Sequence, residues 1–244
     1  MKLNLKVLFD NPNPDRKDRG WGVSFLLNDS ILFDTTEAFE KLKQGLDFFK
    51  VDLRKITDVV ISHDHWDHAG GLLDFIAAHP ASSRLNVYLL PSFSAELKEK
   101  VLLTGVSLHI NNMPTDIQDG FSLTGEIDAT YKGNRKNEQG LVAKGGQGFT
   151  LITGCAHPGI SRMLKTVLEL IGDNAVPLLV AGGFHLMNKD DAEIESVFDE
   201  LQEMGAEKLG PCHCSGIHAK NICKRMFPDA YIDIRKNGEY NFDL

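Results

Sequence analysis

One stretch, Ser62-His63-Asp64-His65-Trp66-Asp67-His68-Ala69-Gly70-Gly71, places three histidines and two aspartates within ten residues. Imidazole and carboxylate groups are the ligands that zinc and similar divalent ions take in proteins. The preceding segment, Ile56–Ile61, is apolar and β-branched, which predicts a buried strand. The following segment, Ala69–Ile76, predicts the opening of a helix. The cluster is therefore expected on a strand-to-helix turn, where its side chains can converge.

The spacing of these side chains predicts two metal positions. Alternate residues of an extended segment share one face, so His63 and His65 can bind one ion together. Asp67 and His68 follow after the chain bends, and they can reach a second ion. The competing interpretation is a histidine-rich surface turn, which the density of ligands in a chain with nine histidines disfavours.

Composition limits the classes of protein to consider. The 244 residues are 42% hydrophobic and 25% charged, which predicts a globular protein with one domain over residues 1–244. The net charge of −8 and the lack of an extended basic face disfavour a nucleic-acid partner. The start of the chain does not resemble a signal peptide, and no apolar run has transmembrane length. With only four cysteines, a reduced, cytoplasmic protein is expected.

Strand-like and helix-like segments alternate along the chain, which predicts a layered α/β architecture. Strands are expected at 3–9, 25–33 with a turn at 28–30, 56–61, 87–90, and in a hairpin formed by 141–144 and 149–153. Helices are expected around residues 39–49, 95–104, 163–171, 194–204 and 216–226. A loop is expected over 10–20, and short strands and turns over 106–140.

Four apolar strands are each followed by a histidine. These residues are His63, His157 in Gly154-Cys155-Ala156-His157, His185 in Gly182-Gly183-Phe184-His185, and His213 between Cys212 and Cys214. Loops at strand ends over a rigid sheet usually carry the functional residues of α/β enzymes. The repetition predicts that the four histidines share one site.

These residues identify a family resemblance. The pattern His63-x-His65-x-Asp67-His68 after a strand, with Asp34 upstream, resembles the metallo-β-lactamase superfamily over nearly the whole chain. The resemblance implies an αββα four-layer sandwich with a dinuclear metal site at one edge. It also implies that His157 completes the first metal position and His213 the second. The predicted metal ligands are thus His63, His65, Asp67, His68, His157 and His213.

The closer likeness is to the branch named for archaeal dihydropterin–ribofuranosylaminobenzene phosphate synthase. It is carried by the segments 153–160, 182–186 and 212–216. Three positions depart from that branch. Gly20–Ser24 stands where Glu-His-Gly is usual, Asp34-Thr35-Thr36 replaces Asp-Thr-Gly, and Ser161-Arg162 stands where an Asn is expected. The departures leave the implied ligands intact but weaken any assignment of substrate.

Several nearby residues have more than one interpretation. Cys155 follows a Thr-Gly pair and is either a bridging ligand or a residue that points away. His185 is either an extra ligand or a catalytic acid–base group, and Asp34 is expected to hydrogen-bond a ligand histidine. Cys212 and Cys214 are expected to face away from His213 as buried thiols. Structural or exposed roles are expected for His79, His109 and His218.

The predicted function is dinuclear metal-dependent hydrolysis of a small, phosphorylated or ester-type substrate. Two divalent ions, with zinc favoured over manganese or iron, would hold a bridging hydroxide at neutral pH. Asp67 and His185 are the predicted catalytic side chains. The alternative is a transferase that displaces pyrophosphate, as the resemblance to the synthase branch implies. A non-hydrolytic iron protein is a third hypothesis, which His65 disfavours because such relatives usually carry Glu there.

Overall fold

The structure is a computed structural model that describes residues 1–13, 15, 20–172 and 174–244. Part of the loop predicted over residues 10–20 lies outside the described residues. The described chain forms two β-sheets that pack face to face, with helices against both outer faces.

The first sheet contains the amino-terminal strands and one strand from the end of the chain. Its strand order is β15-β1-β2-β3-β4-β5-β6. The strands are β1 (Lys2–Asp10), β2 (Val23–Leu27), β3 (Ile31–Phe33), β4 (Asp58–Val60), β5 (Asn86–Leu89), β6 (Ser107–Ile110) and β15 (Glu239–Asp243). The sequence predicted most of them but not β15, which pairs antiparallel with β1 and closes that edge.

The second sheet has the order β14-β13-β12-β11-β8-β7. Its strands are β7 (Thr115–Gln118), β8 (Phe121–Leu123), β11 (Leu141–Lys144), β12 (Phe149–Thr153), β13 (Pro177–Gly183) and β14 (Leu209–Cys212). The predicted hairpin is confirmed, because β11 and β12 pair antiparallel. A separate two-stranded ribbon consists of β9 (Thr130–Tyr131) and β10 (Asn134–Arg135).

The helices divide between the two outer faces. The first sheet carries α1 (Phe39–Phe48), α3 (Leu72–Ala78) and α4 (Ala95–Leu103), while α5 (Ile160–Ile171), α6 (Asp191–Glu203) and α7 (Gly216–Met226) pack on the second. A single turn, α2 (Trp66–Ala69), follows β4. On α4, Val101 is buried against the first sheet, whereas Leu102 is 62% exposed.

Three apolar layers hold these elements together. Side chains from both sheets, such as Phe25 and Ile152, fill the space between the sheets. Alternate residues of the same strands point the other way and pack under the helices, as Leu26 does on one side and Leu151 on the other. The αββα sandwich expected from the sequence is therefore confirmed.

Parallel strands determine where the functional loops lie. Strands β3 to β6 run parallel in the first sheet, and β12 to β14 run parallel in the second. Because the carboxyl ends of parallel strands meet at one edge of a sheet, the loops after β4, β12, β13 and β14 can converge. Among the described residues, no helix has the length and hydropathy needed to cross a membrane.

Candidate metal centre

Three histidines from two loops form the first group of side chains, here called the histidine triad. Its members are His63, His65 and His157, whose ligand atoms all lie within 4.8 Å of one another. His65 Nδ1 lies 2.9 Å from His63 Nε2 and 3.2 Å from His157 Nε2. One imidazole nitrogen thus faces two others, and a single proton cannot satisfy both contacts. A divalent cation among the three nitrogens would.

Asp67, His68 and His213 form the second group, here called the mixed triad, within the same 4.8 Å limit. Asp67 Oδ2 lies 3.6 Å from His68 Nε2 and 3.4 Å from His213 Nε2. Both ring nitrogens of His213 are buried and have no hydrogen-bond partner among the described residues. Buried polar atoms of this kind call for an explanation, and a bound ion supplies one.

The two triads adjoin each other, because the rings of His63 and His68 have centroids 4.2 Å apart. The structure therefore brings together all six side chains that the sequence singled out as metal ligands, although they span 150 positions. A donor set of five imidazoles and one carboxylate suits zinc, and it also suits manganese or iron.

The local backbone explains how one short segment serves both triads. His63 and His65 precede α2 in extended or bent backbone, and His65 is the amino-terminal cap residue of that turn. Helical backbone then carries Asp67 and His68 away to the second position. The amide and hydroxyl of Thr35 both donate to the carbonyl of His68 at 2.7 and 2.9 Å, which anchors the end of the segment.

Asp34 orients His68 from behind. Its Oδ1 accepts from the Ser62 amide at 2.7 Å, and its Oδ2 accepts from the Ser62 hydroxyl at 2.8 Å. The same Oδ2 lies 2.6 Å from His68 Nδ1. A proton on His68 Nδ1 donates to this carboxylate, so the contact orients the ring with Nε2 towards Asp67 and the second metal position. The interpretation of Asp34 made from the sequence agrees with this geometry.

A buried carboxylate that the sequence analysis missed holds the loop after β12. Glu138 Oε1 accepts from the amides of Gly154, Cys155 and Ala156 at 2.8 to 3.1 Å, and Oε2 accepts from the amide of His157 at 2.9 Å. Burial raises the pKa of Glu138, and these amides oppose that rise. No motif marks Glu138, so only its place in a buried, polar Asn-Glu-Gln run could have drawn attention to it.

The carboxylate of Asp10 holds the loop after β14 by accepting a hydrogen bond from a backbone amide. Its Oδ1 accepts from the amide of His213 at 2.7 Å. His213 has a left-handed φ of 47°, which β-carbon sterics disfavour for a non-glycine residue. Backbone in this state is common at functional sites when the surroundings enforce it. Ala156, after β12, and His185, after β13, also have left-handed φ values of 55° and 56°.

The electrostatics of the two triads differ. Burial lowers the pKa of His63 well below 6.5, that of His65 to about 4 and that of His157 to about 2, so this triad is uncharged at neutral pH. Burial acts in the same direction on His68, but Asp34 and Asp67 outweigh it and raise its pKa to about 9. Despite burial, His68 and His213 lower the pKa of Asp67. Metal binding at the mixed triad therefore has to displace a proton from His68.

A cleft of about 660 Å³ opens over the two triads. Its wall includes the aromatic residues Trp21, Trp66 and Tyr131, together with Lys132 and an ion pair of Lys189 with Glu193 at 2.7 Å. Tyr131 lies on the β9–β10 ribbon, with its ring centroid 4.9 Å from that of His157. The cleft can therefore hold a small molecule that combines an aromatic or apolar part with negative charge.

His185, Cys155 and Cys214 form a third group at the wall of the cleft, here called the cysteine triad. The prediction that Cys212 and Cys214 are buried thiols is confirmed, but the prediction that Cys214 faces away from His213 is wrong, because Cys214 and His213 both line the cleft. That prediction assumed extended backbone, but residues 213–215 form a 3₁₀ turn that directs Cys214 into the cleft. Contact with Cys214 raises the pKa of His185. Contacts with Cys155, His213 and His185 lower the pKa of Cys214 although burial opposes them.

The remaining histidines lie outside the cleft, as expected. His79 Nε2 lies 2.6 Å from the carbonyl oxygen of Leu53 and 3.1 Å from that of Ile56, so its role is structural. His109 is exposed on β6, and His218 is exposed and pairs with Asp191 on the surface.

The family follows from the sequence match and the fold together. The sequence profile of the metallo-β-lactamase superfamily matches residues 22–164, which include the histidine cluster after β4 and His157. The chain belongs to this superfamily, whose members depend on metals.

Named relatives cover almost the whole chain. A 7,8-dihydropterin-6-methyl-4-(β-D-ribofuranosyl)-aminobenzene-5'-phosphate synthase of Methanocaldococcus jannaschii is 28% identical over 86% of each chain. The crystal structure of Tm1679, described as a metal-dependent hydrolase of the β-lactamase superfamily, is 29% identical, covers 99% of both chains and has a TM-score of 0.77. The metallo-β-lactamase fold protein YhfI from Bacillus subtilis shares the fold, with a TM-score of 0.73 at 15% identity over 99% of this chain and 100% of that one.

Proposed function

We propose that the protein is a dinuclear metal-dependent hydrolase of a small phosphorylated or ester-type molecule. The observation that carries the proposal is the adjacency of two three-ligand groups on the floor of one cleft. The histidine triad would hold one divalent ion and the mixed triad the other, with zinc favoured and manganese or iron possible.

The residues present fit two such ions. The histidine triad has imidazole nitrogens that face one another at 2.9 and 3.2 Å, and the mixed triad leaves both nitrogens of His213 unpartnered. When bound, paired divalent ions supply Lewis acidity and lower the pKa of a coordinated water towards neutrality. The protein contributes the fixed orientation of the ligands through Asp34, Glu138 and Asp10.

Residues of the cleft wall would bind and orient the substrate. Lys132 offers positive charge to an anionic group, Lys189 does so only in competition with its ion-pair partner Glu193, and Tyr131 offers a ring face. Asp67 lies between His68 and His213, where it orders the second position. His185 faces the cleft beside His157, with ring centroids 4.6 Å apart, and would donate a proton to the leaving oxygen. The substrate is expected to be a small molecule rather than a nucleic acid, because the chain carries a net charge of −8.

The test is hydrolysis by protein whose metal content has been measured. Metal-stripped protein is reloaded with zinc, manganese or iron and assayed against phosphomonoesters, phosphodiesters, lactones and thioesters. We expect hydrolysis that needs reloading and that His63→Ala abolishes, while His218→Ala, which removes an exposed imidazole, retains it. If His63→Ala hydrolyses the substrate as well as His218→Ala does, the proposal is contradicted.

A transferase is the second candidate function, and the 28% identity to the archaeal synthase favours it. In this reaction a nucleophilic atom of the aminobenzene substrate would lose its proton and form the new bond as pyrophosphate leaves the other substrate, and the same cleft would hold both. Incubation with a pterin pyrophosphate, with and without a ribofuranosyl aminobenzene phosphate, separates the two functions. Pyrophosphate release that requires the second substrate supports transfer, and release without it supports hydrolysis.

A further inference from the structure

We infer that Cys155, His185 and Cys214 form a third metal position, distinct from the two triads proposed above, that takes a thiophilic divalent ion of the zinc type. The ligand atoms of these three residues lie within 4.8 Å of one another. Two thiolates and one imidazole are a donor set that selects zinc over magnesium, calcium or manganese.

The side chains of the cysteine triad are buried, which supports a metal site at this position. Cys155 and Cys214 are 4% and 7% exposed, and Nδ1 of His185 is buried without a hydrogen-bond partner. The Cys214 sulfur lies 3.6 Å from the carbonyl oxygen of Cys155, so the two residues are in direct contact. Two buried sulfurs and an imidazole nitrogen thus lie close enough for one cation to bind all three.

The backbone around the group is shaped to bring these atoms together. His185 has a left-handed φ of 56°, and His213, which precedes Cys214, has one of 47°. A β-carbon at Gly183 would lie 2.6 Å from the Cys214 sulfur, so only glycine allows β13 to approach Cys214 this closely. The strain and the glycine act at the same place, on residues that hold the cysteine triad.

The position adjoins the mixed triad without coinciding with it. Cys155 Sγ lies 3.2 Å from His68 Nε2, so Cys155 stands between the mixed triad and Cys214. Cys214 and His185 belong to neither of the other triads. All three members of the cysteine triad line the cleft, and three protein ligands leave the fourth position of a tetrahedral ion open towards it.

Occupation of this position has a consequence for turnover, which rests on the proposed function. Each thiol that binds the ion loses its proton to solvent, and the His185 nitrogen that binds it can no longer take one. His185 would then be unable to protonate a leaving group. A third equivalent of metal is therefore expected to lower the turnover that two equivalents support.

The experiment titrates metal-stripped, reduced protein with Co²⁺ and follows both stoichiometry and the thiolate-to-cobalt charge-transfer absorption in the near ultraviolet. We expect three equivalents with a thiolate band in the wild type, and two equivalents without that band in Cys214→Ser. Cys223→Ala removes a buried thiol of α7 outside the triads and should behave as the wild type. His185→Ala, which leaves both thiols in place, should also lose the third equivalent.

Three results would overturn the inference. Cys214→Ser could keep the wild-type stoichiometry and band. The band could depend on Cys155 but not on Cys214, which would assign Cys155 to the mixed triad alone. The wild type could bind two equivalents with no thiolate band. None of these readouts needs a substrate, so a failure of the proposed hydrolysis leaves the binding result intact.

Discussion

Asp34 and His68 form the shortest link between the metal centre and its support, with 2.6 Å between Asp34 Oδ2 and His68 Nδ1. Asp34 directly follows β3, and His68 lies in α2, which follows the neighbouring parallel strand β4. The contact fixes which nitrogen of His68 faces Asp67 and Cys155. Asp34 therefore determines the geometry of the mixed triad without belonging to it.

Asp34→Asn tests this link. The amide can keep one hydrogen bond to Ser62 but loses the charge that stabilises the Nδ1 proton of His68. We expect metal affinity at the mixed triad to fall by about 10–100-fold, while the histidine triad keeps its ion. Competition with a chromophoric chelator measures both affinities. Asp116→Asn, on an exposed strand, is the control, and equal losses in the two variants would refute the assignment.

Glu138→Gln tests the support of the loop after β12. The amide oxygen can still accept from Gly154, Cys155 and Ala156, but its NH₂ group then meets the amide of His157, where Oε2 accepts at 2.9 Å. Two donors facing each other in a buried site should lower the free energy of unfolding by about 2–4 kcal/mol. Urea unfolding of metal-stripped protein measures this change.

The same variant should also weaken metal binding at the histidine triad, because His157 moves with its amide. Glu169→Gln on α5 makes the same chemical change on the surface and should alter neither quantity. A Glu138→Gln protein with wild-type stability and metal content would show that the four hydrogen bonds contribute to neither quantity.

Asp10 predicts a pH dependence of stability in the metal-stripped protein. Burial raises its pKa from 3.8 to about 6, against the opposing effects of Lys220 and His213. The folded state then binds more protons than the unfolded state between these values, so stability falls as pH rises from about 4 to 6. The shift corresponds to about 3 kcal/mol.

Asp10→Asn removes the titrating group and keeps an oxygen for the His213 amide. Unfolding by urea at pH 4 and at pH 6.5 should show the wild type losing about 2 kcal/mol more than the variant across this interval, since part of the shift lies outside it. Identical pH profiles for the two proteins would contradict the burial of an ionisable Asp10.

Much of the fold was readable from the sequence because its patterns are local. The alternation in β1 and the helical spacing of Leu42 and Leu46 in α1 depend on near neighbours. Strand β15 was missed although Glu239–Asp243 alternates polar and aromatic residues, because the run is only five residues long and its pairing partner β1 lies over 230 residues away. No local signal encodes such a partner.

The site residues also divide into those with a local sequence pattern and those without one. The histidine ligands carry a dense motif and recur after strands, so the sequence showed them. Glu138 and Asp10 act on backbone amides, which no residue pattern encodes. Cys214 was misplaced because the direction of its side chain depends on the left-handed backbone of His213, and strand alternation fails there.

His185→Ala tests the proton donor of the proposed hydrolase. The two triads hold six ligands without His185, so the variant should keep the ions of both triads. Turnover should fall by about 10²–10⁴-fold, the range typical of general acid–base groups. Metal content and turnover are measured on one preparation, with His109→Ala as the control. Unchanged turnover would return His185 to a structural role.

The central claim is that two ions lie side by side in the two triads. Anomalous scattering from crystals of zinc-loaded protein, recorded above and below the zinc edge, locates such ions directly. We expect one peak among His63, His65 and His157 and a second among Asp67, His68 and His213, with the second lost in Asp67→Ala. Zinc-loaded crystals with no peak in either triad, or with a single peak elsewhere, would contradict it.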